Sequence, residues 1–254
     1  MEGILQISDW HYGIDIDSPF NKYNPSIAIR RVNQLFSKVL DYCDLYNLDT
    51  LHVVNLSDMI AGNIHLPLRL NSRIDVITQI MNVSELIAEG LALLSRSVKV
   101  HYYDTLDNHS RLEPVKNNSI DLESLCRITT WYLKERLQDN KNIIIHDNEF
   151  GDDIITFECL GHKVVGVHGH KDKPMNVVDN MALMTKQYYD LVLTAHLHHF
   201  QADEKNECIV LSNGSLMGTD KYAQDLRLSA RPSQNFVLVT KQNVIDTIHR
   251  ILVD

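Results

Sequence analysis

The chain has 254 residues, 44% hydrophobic and 22% charged, which is enough apolar material for a sizeable core and argues against disorder over most of the length. No apolar run approaches the roughly 18 residues a bilayer demands, and the opening Met1–Leu5 has no basic segment leading into an apolar one. The four cysteines (Cys43, Cys126, Cys159, Cys208) are scattered without a paired spacing, so the expectation is reduced, buried thiols in a cytoplasmic protein with no membrane attachment.

The net charge of −9 weakens a nucleic-acid reading, because proteins that clamp DNA neutralise phosphates with a basic surface. It does not exclude one, since bound divalent cations reverse the sign locally and escape the count.

Residues 3–8 read as a short buried strand that ends at Asp9. Residues 26–46 repeat apolar side chains at helical spacing (Ile29, Val32, Leu35, Phe36, Val39, Leu40) and predict an amphipathic helix. Leu51–Leu56 is the next strand and stops at Ser57-Asp58. Residues 68–95 predict one or two helices, 98–103 a strand running into Thr105–Arg111, and the region near 120–138 another helix. Strands come next at Asn142–His146, Asp153–Leu160 and Lys163–His168, with a turn at Gly161-His162, then a helix near 175–187 and the strand Leu191–Thr194. The last strands fall near 199–204, 207–212, 235–240 and 243–250. Strand and helix alternate in the first half and short strands dominate the second, which predicts a layered α/β domain with a mixed sheet. With no repeat, low-complexity stretch or linker, residues 1–254 read as a single domain.

Five predicted strands stop at clusters of metal-binding side chains: Asp9-Trp10-His11, Asp58, Asn108-His109, His168-Gly169-His170 and His196-Leu197-His198. Ligands of open α/β sheets collect beyond the carboxyl ends of the strands, so the clusters can converge. Imidazole together with carboxylate suits zinc, manganese, iron or nickel better than calcium or magnesium. On an extended segment, Asp-x-His and His-x-His place both side chains on one face. A carboxylate such as Asp58 can bridge two ions about 3.5–4 Å apart, and such a pair activates water and polarises a phosphate. Each cluster alone has a plainer reading: Asp58 as a cap, Asn108 as a turn residue, the histidines as surface groups. Their common position at strand ends favours one joint site.

These clusters, in this order, resemble the calcineurin-like metallophosphoesterase signature D-x-H, G-D, G-N-H-[DE], H, G-H-x-H. The matching stretches are Ser8-Asp9-Trp10-His11, Ser57-Asp58, Asp107-Asn108-His109-Ser110, Val167-His168-Gly169 and Ala195-His196-Leu197-His198, over about residues 4–215. The resemblance implies a two-sheet α/β/β/α sandwich. It also implies one metal on Asp9, His11 and His198, a second on Asn108, His168 and His196, Asp58 bridging them, and His109 protonating the leaving group. Two divalent ions are then expected, Mn2+ first, with Zn2+, Fe2+ or Ni2+ as alternatives. Ser57, Asp107, Ser110 and Ala195 depart from the signature. Asp107 fits if its backbone is left-handed, a conformation in which Asp and Asn are enriched. Ser110 removes an acid that would help hold His109.

Ser-Asp-Trp-His-Tyr-Gly and Asn-His-Ser-Arg-Leu look most like SbcD-type exonucleases and phage relatives, in a minimal form without a DNA-capping domain. The function this implies is phosphodiester hydrolysis in DNA by an exo- or endonuclease of the DNA-repair kind, with an ATPase subunit and a homodimer as possible partners and the 68–95 helix as a candidate surface, the other reading of its apolar stripe being that it faces the core. Arg111, His170, Lys221 and Tyr222 are candidate substrate contacts, the last two within the cationic segment Gly218–Arg231. The rivals are a phosphatase or phosphodiesterase acting on a protein or small nucleotide, and a metal-binding scaffold without turnover.

Overall fold

The computed structural model describes residues 1–254 apart from His65 and Pro174, and only the backbone of Pro67 and Tyr222. Among the described residues the chain begins with β1 (Glu2–Ile7), the small hairpin β2 (Ile16–Asp17) and β3 (Lys22–Tyr23), α1 (Pro25–Leu45), β4 (Thr50–Asn55), α2 (Leu66–Asn71), α3 (Val76–Leu94) and β5 (Lys99–Asp104). It continues through α4 (Cys126–Arg136), β6 (Ile143–Ile145), β7 (Ile155–Cys159), β8 (His162–Gly166), α5 (Asn176–Thr185) and β9 (Leu191–Thr194). It ends with β10 (Gln201–Lys205), β11 (Cys208–Ser212), α6 (Lys221–Asp225), β12 (Ser233–Val239) and β13 (Thr247–Leu252).

The strands form two main sheets, ordered β13-β12-β1-β4-β5-β6 and β10-β11-β9-β8-β7. β1, β4, β5 and β6 run parallel, as do β8, β9 and β11, so several carboxyl ends point the same way in each sheet. Period-two alternation then assigns each face. Leu5, Leu51, Val53, Val100 and Tyr102 face α1 and α3, whereas Ile4, Val54, Tyr103 and Val237 meet Ile155, Val164, Leu191 and Leu211 between the sheets. Val165, Val192 and Val210 form the outer face of the second sheet and pack on Val177 and Met181 of α5. The layers are therefore α/β/β/α, as the signature implied.

Helix α1 starts where Asn24 accepts the amide of Ile27 at 3.0 Å with Pro25 in the first turn, and it buries Val32, Leu35, Phe36 and Val39 along one stripe. Asp75 caps α3 in the same way through the amide of Thr78 at 3.0 Å. Contrary to the expectation from apolar runs, α3, at 19 residues, is long and apolar enough by length and composition to cross a membrane; here Ile80, Val83, Ile87, Leu91 and Leu94 fill the first core. The helix expected near 120–138 is only Cys126–Arg136. The turn expected at Gly161-His162 instead uses Leu160 and Gly161, both left-handed (φ 52° and 94°), and His162 already pairs with Cys159. Paired positive φ values match the twist of a two-residue hairpin.

Candidate metal centre

Asp9 and His11 come after β1, Asp58 after β4, Asn108 and His109 after β5, His168 after β8, and His196 and His198 after β9. The two sheets bring these segments to one place. Potential ligand atoms of Asp9, His11 and His198 lie within 4.8 Å of one another, as do those of Asp58, His168 and His196, and those of His11, Asp58 and His109. Asp58 thus stands between the two histidine-rich groups. His198 Nε2 lies 3.3 Å and His11 Nε2 3.9 Å from Asp9 Oδ1, and the two imidazole nitrogens are 3.1 Å apart. His168 Nε2 lies 3.1 Å from Asp58 Oδ2 and 3.1 Å from Asn108 Oδ1.

The local backbone differs from the extended geometry expected of the D-x-H and H-x-H pairs. Asp9, His11, Ser57, Asp58, His196 and His198 all have positive φ, between 44° and 71°. Left-handed residues turn the chain sharply, so the side chains aim into the crevice instead of alternating along a strand. His196 and His198 accordingly face different partners, His196 toward Asp58 and His168, and His198 toward Asp9 and His11. Non-glycine residues in this region cost on the order of 1 kcal/mol each, strain that gathers at functional sites.

Asp107 is not left-handed. Its carboxylate is buried and accepts four hydrogen bonds: from Ser57 Oγ at 2.8 Å, the Asp58 amide at 2.9 Å, the Ser110 amide at 2.6 Å and Ser110 Oγ at 2.8 Å. Three of the four departures from the signature are thus one hydrogen-bonded set. The orientation of His109 does not depend on an acid at 110 either. A carbonyl only accepts, so the 2.9 Å contact of His109 Nδ1 with the Ala61 carbonyl makes Nδ1 a donor and turns Nε2 toward Asp58 Oδ2, 4.0 Å away. His168 is fixed likewise by the Leu56 carbonyl at 2.7 Å. Such contacts set the tautomer and orientation that a ligating imidazole needs.

Burial works against the Asp9 and Asp58 charges, yet the imidazoles of His198 and His168 outweigh it and hold both carboxylates below their usual range. In turn, burial opposes a proton on His168, but Asp58 and Asp9 raise it to about 10, and His198 is raised by Asp9. His11 is held well below its usual value by burial, then by His109 and His198. Asp9 Oδ1, Asp58 Oδ2 and His196 Nδ1 are buried without a directed hydrogen bond, an arrangement that costs about 1–3 kcal/mol per group unless a partner is supplied. Atoms bound at about 2.0–2.2 Å to one ion lie roughly 3.0–3.6 Å from each other, close to most spacings here. The mixed nitrogen and oxygen donors therefore fit divalent transition-metal ions, which would take the place of the protons on His168 and His198.

Of the expected substrate contacts, His170 is half-buried beside His168 (ring centroids 5.3 Å apart), its pKa pushed down to about 3 by burial and by His168. It lines a cleft of about 440 Å³ that runs from the centre along Met181 and Met184 of α5. The Arg111 guanidinium donates to the carbonyls of Glu113 and Pro114, within its own loop. Lys221 is exposed and pairs with Asp225, and the side chain of Tyr222 lies outside the described residues. Sequence reasoning passed over several supports. Ser215 Oγ donates to the Asp9 carbonyl at 2.9 Å, Gln234 Oε1 accepts the Ser8 amide at 2.8 Å, and Gln79 Oε1 accepts the Gly62 amide at 3.0 Å. Ser215 lies in a loop, Gln234 on β12 and Gln79 on α3, and nothing periodic in the sequence sets them apart from other polar residues.

No family model matches the chain. It is 30% identical over 245 residues to the SPbeta prophage-derived uncharacterized protein YonJ of Bacillus subtilis (strain 168), covering 91% of this chain and 59% of that protein's length. Among solved structures, hypothetical protein PH1004 from Pyrococcus horikoshii OT3 aligns with a TM-score of 0.51 at 10% identity, over 100% of this chain and 88% of the other. A novel archaeal phosphodiesterase aligns with a TM-score of 0.49 at 16% identity, over 99% of each chain. The likeness to the Pyrococcus horikoshii protein is one of fold, and on that fold Asp9, His11 and His198 and, beside them, Asp58, His168 and His196 form clusters able to hold a metal ion.

Proposed function

We propose that the chain is a metal-dependent phosphodiester hydrolase with two divalent cations, and that its substrate is DNA. The observation that carries the hydrolase reading is Asp58, whose buried carboxylate faces both histidine groups while its side chain holds the His109 loop. Two such cations would polarise a phosphodiester and provide a nucleophile at neutral pH; Mn2+ suits the donors, with Zn2+, Fe2+ or Ni2+ able to take the same positions. The protein's own part is positioning and proton handling. Asp9 and Asp58 balance the cationic charge, the backbone carbonyls of Leu56 and Ala61 fix two imidazoles, and His109 Nε2 faces the site to hand a proton to the departing oxygen.

The DNA reading rests on the likeness of the Ser-Asp-Trp-His-Tyr-Gly and Asn-His-Ser-Arg-Leu stretches to nucleases, and on the cations of Gly218–Arg231. The net charge of −9 favours the second reading, a phosphatase or phosphodiesterase for a small or protein-borne ester. Purified protein with Mn2+ is tested on labelled single- and double-stranded DNA and on mono- and bis-p-nitrophenyl phosphate. Cleavage of the bis-ester and of DNA supports the nuclease; small esters consumed while every DNA form survives moves the assignment to the second reading. No turnover on any ester by protein with two tightly held ions favours a scaffold.

A further inference from the structure

A second group of metal-binding residues lies away from this centre. Glu2 opens β1, His52 sits near the start of β4 and Cys159 ends β7, so they meet at the end of the sandwich opposite to the carboxyl-end crevice. One donor atom of each lies within 4.8 Å of the other two. Glu2 Oε2 is 2.9 Å from His52 Nε2 and 3.3 Å from Cys159 Sγ. The His52 ring is held on its flat face by Phe157 (centroids 4.9 Å, interplanar 17°), and its Nδ1 lies 3.3 Å from the hydroxyl of Tyr103. His52 and Cys159 are buried, whereas the Glu2 side chain is 24% exposed and leaves a path from solvent.

We propose that Glu2, His52 and Cys159 form a separate mononuclear site for a zinc-class divalent cation that ties the first sheet to the second. One thiolate, one carboxylate and one neutral imidazole cancel a double positive charge, which makes the filled site neutral beside the buried His52 and Cys159. Sulfur, nitrogen and oxygen donors together select a borderline-soft ion, unlike the nitrogen and oxygen donors of the dinuclear centre. Ligands at zinc distances stand about 3.2–3.7 Å apart, so the present spacings need to open by a few tenths of an ångström. Binding breaks the S–H bond of Cys159, releases that proton to solvent and forms a metal–sulfur bond without any redox change. The His52 proton moves to Nδ1, where the Tyr103 hydroxyl accepts it, and water on the Glu2 side completes a tetrahedron. In the absence of an ion the same atoms form a set in which Glu2 accepts from both neighbours, so the two states are chemically distinct.

Cobalt(II) separates them, because only a thiolate ligand produces sulfur-to-cobalt charge transfer in the near ultraviolet and the dinuclear centre has no cysteine. Metal-free full-length protein titrated with cobalt should develop this absorption, saturating at one equivalent per chain for that band, and zinc should bleach it. Cys159→Ser and Cys159→Ala should lose the band while phosphoester turnover persists. Tyr103→Phe, which keeps the packing, should keep the band but weaken cobalt binding roughly tenfold. No charge-transfer band at any stoichiometry, or one that persists without Cys159, overturns the site. Neither result touches the dinuclear reading, which is judged by turnover.

Discussion

Asp107 Oδ2 accepts the backbone amide of Asp58 at 2.9 Å, so a residue that departs from the signature supports the carboxylate at the middle of the centre. The same side chain holds Ser57 and Ser110, one before Asp58 and one after His109. It pins two loops that arrive from β4 and β5. Asp107→Asn replaces an acceptor oxygen with a donor in front of other donors. The expected loss is about 2 kcal/mol of stability, with Mn2+ affinity reduced roughly tenfold because a support behind the ligand is gone. Reinstating the signature (Ser57→Gly, Asp107→Gly and Ser110→Asp together) should recover affinity that Asp107→Gly alone loses. Melting curves and metal titration read both effects; additive losses across the three positions would mean that they do not act as one set.

The roles of His109 and Asp58 separate in the same measurements. His109 holds its ring through the Ala61 carbonyl and stands at the rim of the ligand groups. His109→Ala should therefore keep both metals and lose turnover by roughly 10²–10⁴-fold. Asp58→Asn should weaken both ions at once, because its carboxylate faces both histidine groups. Full activity of the first variant removes His109 from proton transfer, and loss of a single ion in the second removes Asp58 from the bridging position.

The mixed α/β class and the placing of the five clusters at strand ends were legible in sequence because both arise from local rules, whereas the two-sheet layering came from the resemblance alone. Short apolar runs mark β1, β4 and β9, helical spacing marks α1, and short parallel strands deliver the residues just past their carboxyl ends to one edge. The aim of the side chains was not legible. Left-handed Asp9, His11, His196 and His198 break the two-residue period; Asp and His are enriched in that conformation but adopt it in only a small minority of positions, so their presence did not announce it. Partnerships across long separations were hidden as well: Asp107 meets Ser57 across 50 positions and Ser215 meets Asp9 across 206, through residue types common in any loop. The local hold on Arg111 was hidden too: the carbonyls of Glu113 and Pro114 accept from its guanidinium inside its own turn.

Gly62 gives a test of how the His109 loop is supported. It has φ of +70°, and a Cβ there would lie 2.1 Å from the His109 carbonyl oxygen, which is backbone and cannot step aside. Its amide is also bonded to Gln79 Oε1 at 3.0 Å, anchoring the segment to α3. Gly62→Ala should cost about 2–3 kcal/mol through strain and displaced backbone and should lower turnover more than metal content. Gln79→Glu should also be costly, since it buries an unpaired carboxylate and sets one of its oxygens against the Ile74 carbonyl, 3.0 Å from Nε2. Thermal melts with metal analysis distinguish the cases. A stable and fully active Gly62→Ala would show that the loop adapts freely.

The histidines on the face between the sheets set an acid limit on stability. His101 Nδ1 lies 2.9 Å from His146 Nε2, and burial, then the neighbouring His52 and His146, push the His101 pKa from 6.5 down to about 4. His52 and His146 are lowered too, each chiefly by burial. The folded state thus resists protons that the unfolded chain accepts. The stability from keeping His101 neutral is complete above the unfolded value of 6.5 and is lost as the pH falls from there toward 4. Because the ring keeps some contact with water, its share is on the order of 1 kcal/mol. Metal-free protein should show a falling Tm across that window, and His101→Gln should flatten the fall while leaving the slope below about pH 4, where carboxylates dominate, unchanged. Parallel Tm curves for the two proteins between about pH 7 and pH 4 would mean that this imidazole titrates normally and contributes nothing to acid sensitivity.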